Sequence, residues 1–316
     1  MSQPFFSVLI PVYNKASHLE RTLGCVKTQT FTDYEVIAVN DGSTDNSLEV
    51  LKASSTSKMR IIEQTNQGPA VARNTGIKAS QGKWIAFLDA DDEWTPDHLQ
   101  GLHDAILQCP DAVLATSFQQ IQDAHGALRS ARYSNHEGLK QHCLTSIFPH
   151  MMQDALIHSS CCAVNASIVE QVGLFDTSIT YGAGEDTDYW IRWAIAGPVA
   201  LSTATTSTYR QDATNRVSKT DTRKRTFADF TKYTTYASSH PGLADYINLN
   251  QYSLAIQHKR AGLRKSYQDY RRSIDLNALN VRQRFLLGLP AWALRLAYRL
   301  RGTRWLSGNK FSVYEA

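Results

Sequence analysis

A mostly parallel α/β sheet flanked by helices, with a helical extension after it, is the fold class this sequence predicts. Three observations carry that prediction. Apolar runs alternate with amphipathic stretches through roughly the first hundred residues, as in successive β-α-β units. Those runs hold little charge, as strands covered on both faces require. From Asp221 onward the pattern becomes mostly helical.

The elements follow in order. Residues 5–12 read as a first strand, running out into Tyr13 and Asn14, and His18 to Gln29 as a helix with Leu19, Leu23 and Val26 at helical spacing. Tyr34 to Val39 is a second strand, followed by the turn residues Asn40-Asp41-Gly42-Ser43. Asp45 to Lys52 is a short helix, Met59 to Glu63 a third strand, Gly68 to Ser80 a helix and Trp84 to Leu88 a fourth strand. The second half is less regular. Val113 to Ile121 reads as a strand, residues 123–158 as loops with short helices, Ser160 to Val164 as a strand and Ala166 to Val172 as a short helix. Asp186 to Ala196 reads as a helix and Val199 to Tyr209 as a late strand. A boundary falls near 220, in the polar run Asn215 to Arg225.

At 316 residues the chain can bury a full core, as one large domain or one domain with an appendage. Its five cysteines, Cys25, Cys109, Cys143, Cys161 and Cys162, include no C-x-x-C pair. That fits a reducing compartment and argues against a disulfide framework or a thiolate zinc site. Met1-Ser2-Gln3-Pro4 has neither a basic nor an apolar region of a leader, so no signal peptide is expected. No stretch of about 20 residues is apolar enough to span a bilayer. Neither G-x-G-x-x-G nor G-x-x-x-x-G-K-[ST] occurs, which argues against dinucleotide-dependent oxidoreductases and P-loop enzymes.

The chemistry is expected beyond the carboxyl ends of the strands, where open α/β sheets bind ligands. Asp89-Ala90-Asp91-Asp92 follows the fourth strand directly. Two carboxylates one residue apart can share a hard divalent cation, which takes oxygen ligands and substrate phosphates. The competing reading is an acidic helix entrance with Thr95 as N-cap and Pro96 as first helical residue; it does not need Asp89 or Asp91. At the end of the first strand, Pro11, Tyr13 and Asn14 suit a nucleobase, by stacking and amide hydrogen bonds, unless Asn14 or Ser17 merely caps the next helix. Asp41 is placed to accept from a base N–H or a ribose hydroxyl, and Gly42 permits the turn; the alternative is pure turn chemistry with Ser43 or Asp45 as a cap. Gly68 opens a helix with Pro69 in its first turn, and Arg73 and Asn74 follow. Arg73 can clamp a phosphate or brace the acidic loop.

Together these segments resemble the family-2 glycosyltransferases of the GT-A fold. The resemblance covers roughly residues 5–210 and rests on the order of Ser7 to Asn14, Asn40 to Asp45, Asn66-Gln67-Gly68 with Ala72 to Gly76, and Phe87 to Asp92. Gly173-Leu174-Phe175-Asp176 followed by Gly184-Glu185-Asp186 completes it. The resemblance implies a GT-A catalytic domain over 1–220, its nucleotide-sugar half at 1–110 and its acceptor half at 111–220, with a basic helical extension over 221–316. It implies that Asp41 contacts the base, with the Pro11 to Asn14 segment lining the same pocket. It implies that Asp91, supported by Asp89, binds Mg²⁺ or Mn²⁺ and the diphosphate of a nucleotide sugar, with Ala90 between them. It implies that Asp186 is the general base and that Glu185 orients the site. The expected activity is inverting transfer from a nucleotide-diphosphate sugar, a UDP-sugar by preference, to a hydroxyl of a glycan or lipid-linked acceptor, in cell-surface polysaccharide or glycolipid synthesis. Two departures stand out. Arg192-Trp193 lies on the Glu-Asp helix with Tyr189 where processive synthases have Gln. Tyr209-Arg210-Gln211-Asp212 replaces the His that many relatives carry after the last strand, leaving Asp212 or Arg210 as substitutes. The rivals are a nucleotidyltransferase and a non-catalytic nucleotide-binding or membrane scaffold protein.

The net charge of +4 hides an asymmetry. Residues 257–310 hold thirteen Lys/Arg against two acids, a balance of +11, which leaves −7 for the rest. After Pro290, residues Leu289, Trp292, Ala293, Leu296 and Leu300 share a face flanked by Arg295, Arg299 and Arg301, with Arg304 and Trp305 beyond. Such a helix suits the plane of an anionic membrane surface, or packs on protein. A cytoplasmic protein, peripheral at the inner face of the cytoplasmic membrane, is the expectation. Nucleic acid is a poor partner, since the body is acidic.

Overall fold

The computed structural model describes residues 3–212 and 220–300. The first half builds four parallel strands. β1 (Phe6–Val12) lies between β2 (Tyr34–Asp41) and β4 (Trp84–Phe87), and β3 (Met59–Gln64) flanks β2. The connecting helices are α1 (Ala16–Lys27), α2 (Ser47–Ala53) and α3 (Pro69–Ala79). Both faces of the sheet are covered, as the uncharged strands demand. Phe6, Val8, Ile10 and Val12 of β1 pack into one core with Leu19, Leu23 and Val26 of α1, while Leu9 enters the opposite core with Ala70 and Ile77 of α3.

The rest of the sheet is mixed. After β5 (Glu93–Trp94) and α4 (His98–Gln108) come β6 (Leu114–Gln122), β7 (Leu128–Ser130), β8 (Cys143–Leu144), β9 (Cys162–Asn165), α5 (Val169–Val172), α6 (Glu185–Ala196) and β10 (Val199–Arg210). The order is β3-β2-β1-β4-β9-β6-β10-β5, with β9 antiparallel to both β4 and β6. This insertion brings the chain before β9 against the end of β4.

Three local expectations are corrected. Thr95 is not a helix cap and Pro96 does not start the helix: Glu93 and Trp94 pair with β10, Thr95 N–H donates to Thr206 O at 2.9 Å, and α4 begins only at His98. Neither Asn14 nor Ser17 caps α1, whose N-cap position is Lys15. The cysteines are not all free, since Cys109 and Cys143 form a disulfide across 34 residues of sequence. Cys109 ends α4 and Cys143 lies in β8, and both elements pack on β10, so topology rather than spacing brings them together. Cys25, Cys161 and Cys162 remain thiols.

The C-terminal helices α7 (Leu243–Ala261), α8 (Arg264–Ser273), α9 (Val281–Gly288) and α10 (Ala291–Leu300) do not form a core of their own. Leu243, Ile247, Tyr252, Leu287 and Leu294 join the cluster that also holds Leu201 of β10 and Trp193 of α6. Leu294 anchors α10, and Tyr298 lies under the Arg260 guanidinium at 3.9 Å. The opposite side leaves Trp292 69% and Leu296 49% exposed, and Phe285 and Val281 of α9 are exposed as well. Arg301, Arg304, Trp305 and much of the polar run from Asn215 lie outside the described residues, as does the Leu300 side chain. No described helix is long and apolar enough to cross a membrane.

Candidate active site

The site assembles where β1, β2 and β4 end. Asn14 has a left-handed backbone (φ 51°), and its side-chain oxygen accepts from Thr44 N–H at 2.7 Å, clipping the end of β1 to the loop after β2. Pro11 is the penultimate residue of β1, opposite Val39, and Tyr13 beyond it is 42% exposed. Asp41 is buried and its carboxylate accepts three hydrogen bonds, from Gln64 Nε2 at 2.7 Å, Gln67 N–H at 3.0 Å and Gly68 N–H at 2.9 Å. It thereby fixes the entrance of α3 to the end of β2. Gly42 is required here: its φ is +67°, and a Cβ would sit 2.7 Å from Asn66 N. Gly68 is the N-cap of α3 with φ 90°, and Pro69 is the first helical residue.

One turn along α3, Arg73 is buried and donates to Asp89 Oδ1 at 2.8 Å. It braces the acidic loop, the second of the two roles its sequence position allowed. Asn74 is committed as well: its amide donates to Phe175 O and accepts from Phe175 N–H, both at 2.9 Å, so it positions the Gly173-Leu174-Phe175-Asp176 segment. Arg192 holds the same segment by donating to Val172 O and Leu174 O, a structural task. Asp188 likewise faces away, toward Tyr233, Lys232 and Arg192.

Burial alternates along the acidic loop, with Asp89 and Asp91 half-buried and Ala90 and Asp92 enclosed. Ala90 is buried, with its carbonyl accepting from Thr22 Oγ1 at 3.1 Å. Asp91 pairs with Lys15 Nζ at 2.7 Å. Asp92 is fully enclosed and accepts from Ser160 Oγ at 2.5 Å and Arg210 N–H at 2.8 Å. The Arg210 guanidinium itself is engaged by Glu93 and Asp212. Burial, with the charges of Asp91 and Asp89, pushes the Asp92 carboxyl well above the ordinary carboxylate range. Burial acts to raise Asp89, but Arg73, His158 and Lys15 together outweigh it and hold that carboxyl low.

Glu185 and Asp186 begin α6, with Gly184 in the left-handed region before them. Glu185 is 4% exposed, and its Oε2 is buried without a hydrogen-bond partner. Burial first, and then the charge of Asp186, push Glu185 up to about 7. Asp186 is half-buried, and one of its oxygens accepts from Thr187 N–H at 2.7 Å. The two acidic motifs converge. Burial opposes the charged form of Arg73, but Asp89, Glu185 and Asp186 all act on it and keep it protonated. His158 likewise feels Asp89, Asp186 and Asp91.

Several of these residues escaped the sequence reading. Lys15 follows β1 and Asp92 closes the acidic loop, while His158 and Ser160 reach the site on the chain before β9. Asp89, Asp92 and His158 offer ligand atoms within 4.8 Å of one another. Two carboxylates and an imidazole suit a divalent cation, and the Lys15 ammonium already places a positive charge on Asp91. This donor set suits a divalent cation but shares only Asp89 with the expected ligand pair: Asp92 and His158 stand beside it, and Asp91 is paired with Lys15 instead.

A search of family models matches residues 7–172 to glycosyl transferase family 2. The chain belongs to this family. Its relatives include the uncharacterized glycosyltransferase YibD of Escherichia coli K12, 47% identical over 92 residues, which are 28% of this chain and 27% of that protein. Another is the uncharacterized glycosyltransferase alr2836 of Nostoc, 44% identical over 110 residues, 34% of each chain. Both alignments span well under two thirds of those relatives. Among solved structures, Staphylococcus aureus TarS (residues 1–349) in complex with UDP-GlcNAc aligns over 95% of this chain and 93% of its own, with TM-score 0.65 and 13% identity. The mannosyltransferase PcManGT of Pyrobaculum calidifontis, in complex with GDP-Man and Mn²⁺, aligns over 98% of this chain and 77% of its own, with TM-score 0.51 and 17% identity. These likenesses establish the GT-A fold, in keeping with membership of glycosyl transferase family 2.

Proposed function

We propose that the chain is an inverting, metal-dependent glycosyltransferase that moves a sugar from a nucleotide diphosphate, UDP by preference, to a hydroxyl of a glycan or lipid-linked acceptor in cell-surface polysaccharide or glycolipid synthesis. Residues 1–220 act as the catalytic domain, with donor and acceptor halves meeting near 110, and 221–316 as the extension. The observation that carries this reading is the convergence of the Asp89–Asp92 loop and the Glu185-Asp186 helix start on Arg73. In this reading the acidic loop would supply the cation ligands and the helix start the base.

Each residue has a task. The loop from Asn40 to Asp45 and the Pro11 to Asn14 segment receive the base, with Asp41 shaping that pocket through Gly68 and Gln67. Arg73 holds Asp89 in place, and Asn74 holds Phe175. Asp89 and Asp91 are the carboxylates for Mg²⁺ or Mn²⁺, an ion that offsets charge on the departing diphosphate. Asp186, more open than Glu185, takes the proton of the acceptor hydroxyl as it attacks the anomeric carbon from the face opposite the leaving group. Glu185 backs Asp186 from the protein side. TarS holds UDP and UDP-GlcNAc, and PcManGT holds GDP-Man, which supports a nucleotide-sugar donor here. The exposed Val281, Phe285, Trp292 and Leu296, beside Arg282, Arg284, Arg295 and Arg299, suit an anionic bilayer at the inner face of the cytoplasmic membrane.

A thermal-shift screen of UDP-, GDP- and dTDP-sugars with and without Mn²⁺ tests the donor, since a ligand of the folded state raises its apparent stability. A Mn²⁺-dependent rise with one sugar nucleotide is expected. Asp186→Asn should keep that rise and lose sugar release. Pyrophosphate exchange in place of sugar release would overturn the reading in favour of a nucleotidyltransferase.

A further inference from the structure

We propose that Lys232 and Tyr233 of the extension are positioning residues for the transfer reaction: through Asp188 they fix the turn of α6 that carries Asp186. The inference rests on the glycosyltransferase reading above and adds to it residues from beyond the division at 220.

The start of α6 needs outside support. Its N-cap is Gly184, which has no side chain to cap the helix. The first N–H groups of a helix lack intrahelical partners, so an uncapped start frays unless packing holds it. Asp188 lies in the same first turn and is 1% exposed. Its Oδ1 accepts from Tyr233 Oη at 2.6 Å and pairs with Lys232 Nζ at 2.6 Å. Its Oδ2 accepts from Arg192 Nε at 3.1 Å. Arg192 lies on α6 itself, whereas Lys232 and Tyr233 bring their grip from the turn Thr231–Tyr236 of the extension. A buried carboxylate held by three donors is fixed in place, and it fixes the backbone around Asp186 with it.

The chain leading into that turn closes on the loop before α6. Thr180 N–H donates to Thr226 O at 3.1 Å, Thr226 N–H donates to Thr180 Oγ1 at 2.9 Å, and Ala228 N–H donates to Ala183 O at 3.1 Å. A Cβ at Gly184 would lie 2.9 Å from Phe230 Cζ and 3.2 Å from Ala228 Cβ, so the helix entrance is pressed against the extension. Phe230 and Tyr233 are buried in the same core as Ile247 and Leu249 of α7, which backs the segment. Arg225, just before Thr226, feels the charge of Glu185. The extension thus meets the base-bearing turn on its entrance loop, its N-cap and its buried carboxylate. Placement matters here, since a shift of about 1 Å in a reacting group costs about 10²-fold in rate.

The test measures sugar release from UDP-glucose, UDP-galactose, UDP-GlcNAc and GDP-mannose with Mn²⁺, water standing in for the acceptor hydroxyl, by the full-length protein and its variants. Tyr233→Phe deletes the hydroxyl while Lys232 and Arg192 still pair with Asp188, so the fold should persist. Its melting temperature, UDP affinity and donor KM should stay close to the parent's, while kcat falls about tenfold. Lys232→Met should act in the same way, and Lys232→Arg should restore the rate. Tyr236→Phe, at an exposed position of the same turn, should change nothing. An unaltered kcat in both Tyr233→Phe and Lys232→Met, or a fall in kcat matched by an equal loss of UDP affinity, would overturn the positioning role and leave the glycosyltransferase reading intact. Absence of sugar release by the parent protein from every one of these nucleotides would overturn that reading instead.

Discussion

Glu185 gives a prediction in which sign and size follow from its surroundings. It is 4% exposed, with one carboxylate oxygen lacking a partner, and burial together with Asp186 raises it from 4.5 to about 7. A carboxyl whose pKa rises on folding binds its proton more tightly in the folded state. Its contribution is therefore fully present below pH 4.5 and is lost as pH climbs through about 7. At about 1.4 kcal/mol per pH unit, that shift corresponds to a ceiling of about 3 kcal/mol. Glu185→Gln removes the titration and keeps the shape. Urea unfolding of both proteins at half-unit steps from pH 4.5 to 8 should show the variant gaining on the parent as pH rises, by up to about 3 kcal/mol at the top of the range. A stability difference that stays flat across that range, or shrinks toward pH 8, would refute the placement of Glu185 as a buried carboxyl beside Asp186. The same experiment bears on mechanism, because a neutral group beside Asp186 removes a charge that opposes its own.

Three further outcomes follow from the geometry. Gly42→Ala forces a left-handed alanine and drives its Cβ to 2.7 Å from Asn66 N, so it should cost about 2 kcal/mol in urea unfolding and weaken UDP binding, whereas Gly24→Ala, with open space around it, should not. Arg73→Met leaves Asp89 without its partner and should cost about 2–3 kcal/mol, somewhat below a fully enclosed pair because Asp89 is 24% exposed; adding Asp89→Asn should recover part of that loss in a double-mutant cycle. Phe285→Glu with Trp292→Glu should leave the melting temperature nearly unchanged, since both side chains are exposed, and abolish co-sedimentation with anionic liposomes; retained co-sedimentation would end the membrane proposal.

The strands and helices of the first half were legible because their signals are local. β1, β2 and β4 read as apolar runs, Gly42 and Gly68 marked turns that need positive φ, and Pro69 marked the start of α3. That Asp89, Glu185 and Asp186 all act on Arg73 is announced by no local signal, and only the order of motifs pointed toward it. What was hidden depends on chain order in space. The antiparallel β9 enters between β4 and β6 and carries His158 and Ser160 onto the acidic loop, and nothing in their own neighbourhood announces that. The Cys109–Cys143 pair and the late start of α4 arise the same way, from pairing with β10. On α10 the apolar periodicity was visible, but it did not show that Leu294, outside the stripe of Trp292 and Leu296, is the side chain that anchors the helix.

Calorimetric titration of UDP, with Mn²⁺ and with chelator, into the parent protein and Asp91→Asn tests the central claim most directly. The account predicts tight binding only with Mn²⁺ and its loss in the variant. Equal UDP affinity with and without the metal, unaffected by Asp91→Asn, would contradict it.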